Sequence, residues 1–227
     1  MSGEQIISLE DVRKTYEMGD TTVEALKDSK VEISEGEFVA VMGPSGSGKS
    51  TLMNMIGALD TPTSGEVSIG SEQISGLEGD ELALLRSKKI GFIFQQFNLI
   101  PSMNATENVA LPMLFTGKSK EERHGRAEKL LKRVGLGDRL THMPSELSGG
   151  QRQRVSIARS LANDPDIILA DEPTGNLDTE TGENIMTLLT ELNEEGKTII
   201  MVTHDETDAE YADRIIKIVD GKTGVNQ

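Results

Sequence analysis

The sequence predicts an α/β fold that combines a mixed sheet with an N-terminal antiparallel β subdomain and an inserted α-helical subdomain. Three observations predict this fold. The glycine-rich stretch 43–51 lies between an apolar run and a helical pattern. From residue 151 onward, short apolar runs alternate with amphipathic helical segments, which is typical of buried parallel strands. Between residues 95 and 150, two segments have helical spacing and no strand separates them.

The N-terminal segments have the pattern of strands joined by short turns. Residues 6–16 alternate apolar and polar side chains, and residues 23–33 form a second extended segment. A turn is expected at Met18-Gly19-Asp20 and another at residues 34–37. Because short turns join neighbouring antiparallel strands, we expect these segments to pair as a hairpin.

The remaining elements follow from apolar spacing. Further strands are predicted at residues 38–42, 66–69, 90–94, 167–170, 197–202 and 214–219. One helix is predicted directly after the glycine-rich stretch, and another runs through Arg86 with Asp80 as its cap. Further helices are predicted at residues 106–115, 120–134, 151–162, 179–194 and 205–211. A loop is expected at residues 60–65, and the tail from Gly221 is expected to be loose. The whole chain, 1–227, is interpreted as a single domain, with residues 1–94 and 151–227 as its core and 95–150 as the helical subdomain.

Composition excludes several classes of protein. The formal net charge of −15 argues against a nucleic acid as the main partner, because phosphate neutralisation requires clustered Lys and Arg. With no cysteine, the chain has neither disulfides, nor thiolate metal ligands, nor a cysteine nucleophile. The N-terminus lacks a signal-peptide pattern, and no apolar run approaches the ~18 residues of a membrane span. We therefore expect a soluble protein whose membrane role, if any, depends on a partner.

The stretch Gly43–Thr51 matches the phosphate-loop pattern G-x-x-x-x-G-K-[ST] without a mismatch. Its backbone N–H groups can face one concavity, and the positive end of the following helix lies at the same place. Lys49 is expected to reach the β- and γ-phosphates, and the Ser50 hydroxyl to coordinate Mg²⁺. A plain glycine-rich turn is the alternative, but the flanking strand and helix favour a P-loop NTPase core. The predicted nucleotide-binding residues here are Gly43, Pro44, Ser45, Gly46, Ser47, Gly48, Lys49, Ser50 and Thr51.

Two carboxylates, Asp171 and Glu172, follow the apolar run 167–170. At the carboxyl end of a parallel strand they can face the phosphate loop, since ligands of open α/β sheets bind at that edge. Asp171 is suited to hold Mg²⁺, directly or through water. Glu172 is suited to polarise a water that attacks the γ-phosphate. Solvated acids at a strand end are the alternative, and the phosphate loop in the same chain favours the catalytic interpretation.

A second glycine-bearing helix start lies at Leu147-Ser148-Gly149-Gly150-Gln151. It exposes backbone N–H groups and adds a second positive helix end, but it has no lysine. A plain helix-start loop is the alternative. With the phosphate loop and the acid pair in the same order, however, the chain resembles the ATP-binding cassette ATPases along nearly its whole length. These are the motor domains of ABC transporters, and P-loop kinases and small GTPases lack the LSGGQ signature.

This resemblance implies that ATP is the nucleotide and Mg²⁺ the cofactor of an ATPase. Tyr16 lies where the family places an aromatic ring that stacks on adenine, and Val23 would flank that ring. Gln95 resembles the glutamine that contacts Mg²⁺ and the attacking water. Gln96 is adjacent, so the choice depends on register, and Gln95 is favoured.

Two further residues are assigned by the same resemblance. Asp178 lies in the segment that resembles the loop crossing between two subunits. His204, after the strand 197–202, resembles the histidine that contacts the γ-phosphate. The other histidines, His124 and His142, fall in polar surroundings and are interpreted as surface residues.

The family's mechanism explains why one chain has two anion-binding helix starts. Two copies would face each other head to tail as a homodimer on ATP binding. Each ATP would lie between the phosphate loop of one subunit and the signature of the other, contacted in trans by Ser148, Gly149, Gly150 and Gln151. Hydrolysis would then open the dimer, and an integral membrane permease would turn that motion into transport.

The segments 90–101, 106–109, 111–112 and 171–178 resemble the branch with the lipoprotein-release and macrolide-export ATPases. This resemblance implies the motor of an exporter, peripheral on the cytoplasmic face of the cell membrane through a permease. A cell-division ATPase stays possible, as does a non-transport cassette ATPase of the DNA-repair or ribosome-associated kind. The candidates for a permease groove are Met103, Leu111, Met113 and Leu114, with core packing as the alternative.

Overall fold

The computed structural model describes residues 4–19 and 21–226. The chain divides into two compact units, one of Met1–Arg86 with Asn193–Gln227 and one of Ser87–Leu192. The predicted helical subdomain, 95–150, lies within the second unit, and its boundaries stay a prediction. Of the first expected turn, Asp20 lies outside the described residues.

Ten strands and seven α-helices are present in the described residues. In chain order they are β1 (Gln5–Met18), β2 (Thr21–Ser34), β3 (Phe38–Met42), α1 (Lys49–Ile56), β4 (Ser64–Ile69), β5 (Glu72–Gln73), α2 (Gly79–Lys89), β6 (Ile90–Phe94), α3 (Ala105–Ala110), α4 (Lys120–Arg133), α5 (Gly149–Ser160), β7 (Ile167–Asp171), α6 (Thr179–Glu194), β8 (Thr198–Val202), α7 (Glu206–Ala209), β9 (Arg214–Val219) and β10 (Lys222–Asn226). Two 3₁₀ segments, Leu111–Phe115 and Pro144–Glu146, complete the list.

The first unit contains the antiparallel sheet that the alternating pattern predicted. Its strand order is β2-β1-β4-β5, and Tyr16 on β1 is the pairing partner of Val23 on β2. Ile7 and Leu9 of β1 are buried, because alternate side chains of a strand point to the same face. Val12 is buried as well, since a register shift between Leu9 and Val12 inserts an extra residue into the strand. The hairpin prediction is confirmed.

The first unit also contains a mixed sheet segment in which β3 pairs in parallel with β8 and β9, and β10 pairs antiparallel with β9. The expectation of a loose tail from Gly221 was therefore wrong. The Gly221 carbonyl accepts hydrogen bonds from Lys27 N and Ser29 Oγ, both at 2.8 Å. The turn at Asp220 and Gly221, both with positive φ, returns the chain as a further strand.

The second unit contains the parallel pair β6 and β7 together with helices α3 to α6. Two of these helices differ from their predicted bounds by two residues or more. Helix α3 ends at Ala110 and gives way to the 3₁₀ segment, in which Pro112 lacks the N–H that an α-helix would use. Helix α5 begins at Gly149 rather than Gln151, because Ser148 caps it.

In helix α2, Asp80 lies within the first turn rather than at the cap, and the helix continues to Lys89. The predicted α/β class, with its mixed sheet and N-terminal antiparallel sheet, is confirmed. Among the described residues, none of the helices combines the length and apolar character needed to cross a bilayer.

Candidate nucleotide-binding and hydrolysis residues

The phosphate loop fills the connection between β3 and α1 in the first unit. Gly48 has φ +105°, and a Cβ at this position would lie 2.6 Å from the Ala25 carbonyl oxygen. A Cβ at Gly43 would overlap the Ile218 carbonyl oxygen. Since β2 and β9 press against the loop in this way, only glycine fits at both positions.

Lys49 is folded back onto the loop that precedes it. Its ammonium group donates hydrogen bonds to the carbonyl oxygens of Gly43 (2.7 Å) and Pro44 (3.0 Å). Helix α1 begins at Lys49, with Gly48 accepting from Leu52 N at 2.8 Å. The first N–H groups of the helix have no intrahelical partner, so the loop offers donors and a positive helix end to an anion.

A cavity of about 320 Å³ opens beside the loop in the first unit. Its lining includes Val23, which is 43% exposed, so an apolar side chain and the phosphate loop face the same space. The other lining residues are Glu24, Ala25, Lys27, Gly46, Gly48, Lys49, Ser50, Thr51, Asp220 and Gly221. This cavity brings together six of the twelve residues predicted to bind nucleotide, namely Val23 and five residues of the phosphate loop.

Tyr16 is half-buried, and a polar network fixes its ring. Its hydroxyl donates to Asp60 Oδ2 at 3.0 Å, and Lys14 Nζ donates to Asp60 Oδ1 at 2.7 Å while lying 5.1 Å from the ring centre. Burial and then the Asp60 carboxylate raise the pKa of Tyr16. The phenol is therefore neutral near pH 7, and its ring orientation is held by the hydroxyl.

His204 lies in the exposed loop between β8 and α7. The adjoining residues fix this loop, since Thr203 Oγ1 accepts from Asp205 N at 3.0 Å. Asp205 in turn caps α7 by accepting from Thr207 N at 2.7 Å. The histidine is thus presented at the end of a buried strand, as the sequence predicted.

In the second unit, Asp171 ends β7 and Glu172 follows with φ +44°. A residue with a Cβ rarely adopts this left-handed conformation, so the turn is strained and must be held by its surroundings. The Glu172 carbonyl accepts from Gly175 N at 3.1 Å. The Pro173 carbonyl accepts from Gln153 Nε2 at 2.5 Å.

Gln95 packs on the same turn. Asn176 Nδ2 donates to the Gln95 carbonyl at 2.8 Å, and a Cβ at Gly175 would lie 2.7 Å from Gln95 Nε2. Gln96, by contrast, is exposed. Gln95 thus lies against the segment that follows Glu172, and its role in hydrolysis stays a prediction.

The signature forms the start of α5 and packs against the loop that carries Asp178. Ser148 and Gln151 make a capping box, in which Ser148 Oγ accepts from Gln151 N at 3.3 Å and Gln151 Oε1 accepts from Ser148 N at 2.9 Å. A Cβ at Gly149 would lie 3.3 Å from Leu177 Cδ2, and one at Gly150 would overlap the Thr181 methyl group.

Asp178 serves as a helix cap within its own subunit. It accepts hydrogen bonds from Thr181 N (3.0 Å) and Thr181 Oγ1 (2.7 Å) at the start of α6. These bonds from Thr181 lower the pKa of the Asp178 carboxyl. Thr181 therefore lies against both Asp178 and the signature glycine Gly150.

The sequence motifs did not single out two arginines that hold the turn after Gln95. Arg159 of α5 donates to the carbonyls of Phe97 (2.8 Å) and Asn98 (2.5 Å), both of which have positive φ. Arg152 lies 5.1 Å from the centre of the Phe97 ring, and burial lowers the pKa of Arg159. Their spacing of seven residues on one helix face is the signal that could have identified them.

Comparison with known proteins identifies the family. A family model described as "ABC transporter" matches residues 26–175. The chain belongs to the ABC transporter family. It is 54% identical over 216 residues to an uncharacterized ABC transporter ATP-binding protein of Bacillus subtilis, YknY, covering 95% of this chain and 94% of the relative. It is also 54% identical over 222 residues to the macrolide export ATP-binding/permease protein MacB of Brucella melitensis, but spans only 34% of that longer protein.

A solved relative has the same fold. MJ0796 of Methanocaldococcus jannaschii, 56% identical over 222 residues, is described as an ABC transporter ATP-binding protein. Its dimeric post-hydrolysis state bound to ADP and Pi matches with a TM-score of 0.88, 53% identity and 97% coverage of each chain. The predictions of the fold and of an ATP-binding, ATP-hydrolysing subunit of an ABC transporter are confirmed.

Proposed function

We propose that this chain dimerises head to tail on ATP and drives a membrane permease by cycles of ATP binding and hydrolysis. The observation that carries the proposal is the pair of glycine-bearing helix starts with unequal chemistry. The start at Lys49 has a lysine and a cavity beside it, whereas the start at Gly149 has glycines and a cap but no lysine. The second start is therefore suited to complete a site whose lysine comes from another copy.

The donor set of the hydrolysis residues fits Mg²⁺. The Ser50 hydroxyl, the Gln95 amide and the Asp171 carboxylate all present oxygen, the ligand that this cation prefers. These three residues would hold it, together with phosphate oxygens. When bound, the ion supplies charge neutralisation for the β- and γ-phosphates.

Within the subunit, the proposed roles are divided between binding and hydrolysis. Tyr16 and Val23 hold the adenine ring, and Lys49 leaves the loop carbonyls to reach the phosphates. Glu172 polarises the attacking water, which its strained position at the end of β7 supports. His204 contacts the γ-phosphate from the fixed loop after β8.

In trans, the capping box supports a role for the signature. Because Ser148 and Gln151 satisfy each other, the N–H groups of Gly149 and Gly150 stay directed out of the helix start. They would bind the γ-phosphate of the partner's ATP, and Asp178 would lie at the same interface. Loss of that phosphate then favours the open state, since ATP binds the closed dimer more tightly.

A groove in the second unit supports coupling to a permease. Met103, Leu111 and Leu114 line a cavity of about 320 Å³ together with Glu107, Arg123 and His124. Met113 is fully buried and belongs to the core instead. This groove would receive an apolar helix of a permease of the lipoprotein-release or macrolide-export type, at the cytoplasmic face of the membrane. The MacB relative, which combines ATP-binding and permease parts, supports this branch.

The substitution Glu172→Gln tests the proposal. It removes the carboxylate that polarises water but keeps shape and the phosphate loop, so we expect ATP binding to persist, hydrolysis to fall severely, and a dimer to accumulate on sizing with ATP. Glu183→Gln, an exposed position on α6, is the matched control and should behave as the wild type. A Glu172→Gln protein that stays monomeric with ATP contradicts the dimer.

Two further measurements separate the parts of the proposal. Ser148→Arg should abolish turnover while each monomer still binds ATP, because the signature acts on the partner's nucleotide. Normal turnover of that variant refutes the role in trans.

A pull-down from detergent-solubilised membranes should recover a permease, and recovery of ribosomes or DNA without one would contradict the transport role.

A further inference from the structure

Gln153 joins the signature helix to the turn that carries Glu172. It lies on α5, two residues beyond the signature, and its side chain is fully buried. Its Nε2 donates to the Pro173 carbonyl at 2.5 Å, and Pro173 directly follows Glu172. The nitrogen must face Pro173, because a carbonyl oxygen can only accept a hydrogen bond.

The oxygen of the same amide has no hydrogen-bond partner in the described part of the chain. Gln153 Oε1 is buried and accepts no hydrogen bond from residues 4–19 or 21–226. An unpaired buried acceptor destabilises a fold, and a methionine or leucine at this position would avoid the cost. The donor end of Gln153 is thus the part of the amide with a partner.

That donor acts on a strained segment. Glu172 has φ +44°, a conformation that persists only where surrounding contacts hold it. Fixing the carbonyl of the next residue limits rotation of the peptide units that follow Glu172. The direction of the Glu172 carboxylate therefore depends on a bond from α5.

We propose that Gln153 is a positioning residue for hydrolysis, which holds the Glu172 turn from the helix that begins at the signature. The inference builds on the proposed function, in which the signature contacts the partner's ATP and Glu172 acts on the ATP of its own subunit. Gln153 then links the two ATP sites of the dimer, because a displacement of α5 by the partner's ATP reaches Glu172 through one hydrogen bond.

Two substitutions test this role. Gln153→Met keeps the side-chain length but has no N–H donor, and Gln153→Asn keeps the amide but is one methylene too short to reach Pro173. Ser160→Ala is the control, since it also removes a buried polar group from α5, one that donates only within the helix to the Ile157 carbonyl. For each protein, kcat and KM for ATP and the melting temperature are measured.

We expect both Gln153 variants to lose about tenfold or more in kcat, because a misplacement of about 1 Å at a reacting group can cost about a hundredfold. KM should stay within about twofold of the wild type, since the phosphate loop is unchanged, and Ser160→Ala should retain full kcat. A wild-type kcat in Gln153→Met overturns the inference. The inference is also overturned if both variants lose kcat, rise in KM and fall in melting temperature together. That combination indicates general damage to the fold.

The same variants in a Glu172→Gln background distinguish this inference from the proposed function. Gln153→Met should still form the ATP-dependent dimer there, because the signature itself is intact. If Glu172→Gln alone forms no dimer, the proposed function fails. If that dimer forms and Gln153→Met hydrolyses ATP at the wild-type rate, only the role of Gln153 fails.

Discussion

Three glycines allow the packing of the phosphate loop to be measured separately from its backbone strain. Gly46 has φ +78° with no atom within 4 Å of a Cβ built there, so Gly46→Ala introduces strain alone. Gly48 has φ +105°, and its Cβ would lie 2.6 Å from the Ala25 carbonyl oxygen, so Gly48→Ala adds a collision with backbone. Gly125, inside α4, has open space and no positive φ.

The expected magnitudes follow from these surroundings. Gly46→Ala should lower the free energy of unfolding by about 1–2 kcal/mol, the cost of a left-handed alanine. Gly48→Ala should cost a further ~1–3 kcal/mol, as overpacking a rigid site does. Gly125→Ala should stabilise the protein by about 0.5–1 kcal/mol through helix propensity. At this chain length, each kcal/mol corresponds to a melting-temperature change of about 2–4 °C.

The assay is urea and thermal unfolding of the three variants beside the wild type. Equal losses in Gly46→Ala and Gly48→Ala would refute the reasoning, because the Ala25 carbonyl would then not limit the loop. A destabilised Gly125→Ala would show that alanine is costly for reasons other than φ and contact.

Two further predictions concern the polar network around Tyr16. Tyr16→Phe keeps the ring, so ATP affinity measured by equilibrium titration should stay within about twofold of the wild type. Tyr16→Ala should weaken ATP binding about tenfold, since stacking on a base contributes about 1–3 kcal/mol. Equal losses of affinity in the two variants would contradict stacking. For Asp60, burial opposes ionisation, but hydrogen bonds from Lys14, Thr61 and Tyr16 outweigh it and lower the pKa. Its contribution to stability is therefore complete above the unfolded pKa of about 3.9 and is lost as the pH falls through the lower folded pKa. The melting temperatures of the wild type and Asp60→Asn should differ at pH 7 and converge below about pH 4, and a constant difference would contradict this sign.

Local patterns in the sequence predicted most elements and the motifs. Helix α6 and strand β9 have the predicted bounds, because apolar periodicity over neighbouring residues reports which face is buried. The phosphate loop was likewise recognisable, since its glycines, lysine and serine are adjacent in the chain. The roles assigned to Tyr16, His204 and Asp178 by resemblance stay predictions.

Contacts between distant residues could be decided only by the tertiary structure. Tyr16 and Asp60 are 44 residues apart, and Gln153 and Pro173 are 20 apart. The tail after Gly221 has no strong apolar run, yet it forms a strand because Gly221 N donates to the Ser47 carbonyl at 2.9 Å and β9 offers a free edge. The sequence by itself determined that a phosphate loop and a signature exist, because each is a local backbone arrangement. Only the tertiary structure showed which side chains hold Glu172, Gln95 and the phosphate loop in place. Packing decides this, because it brings together residues that no local pattern connects.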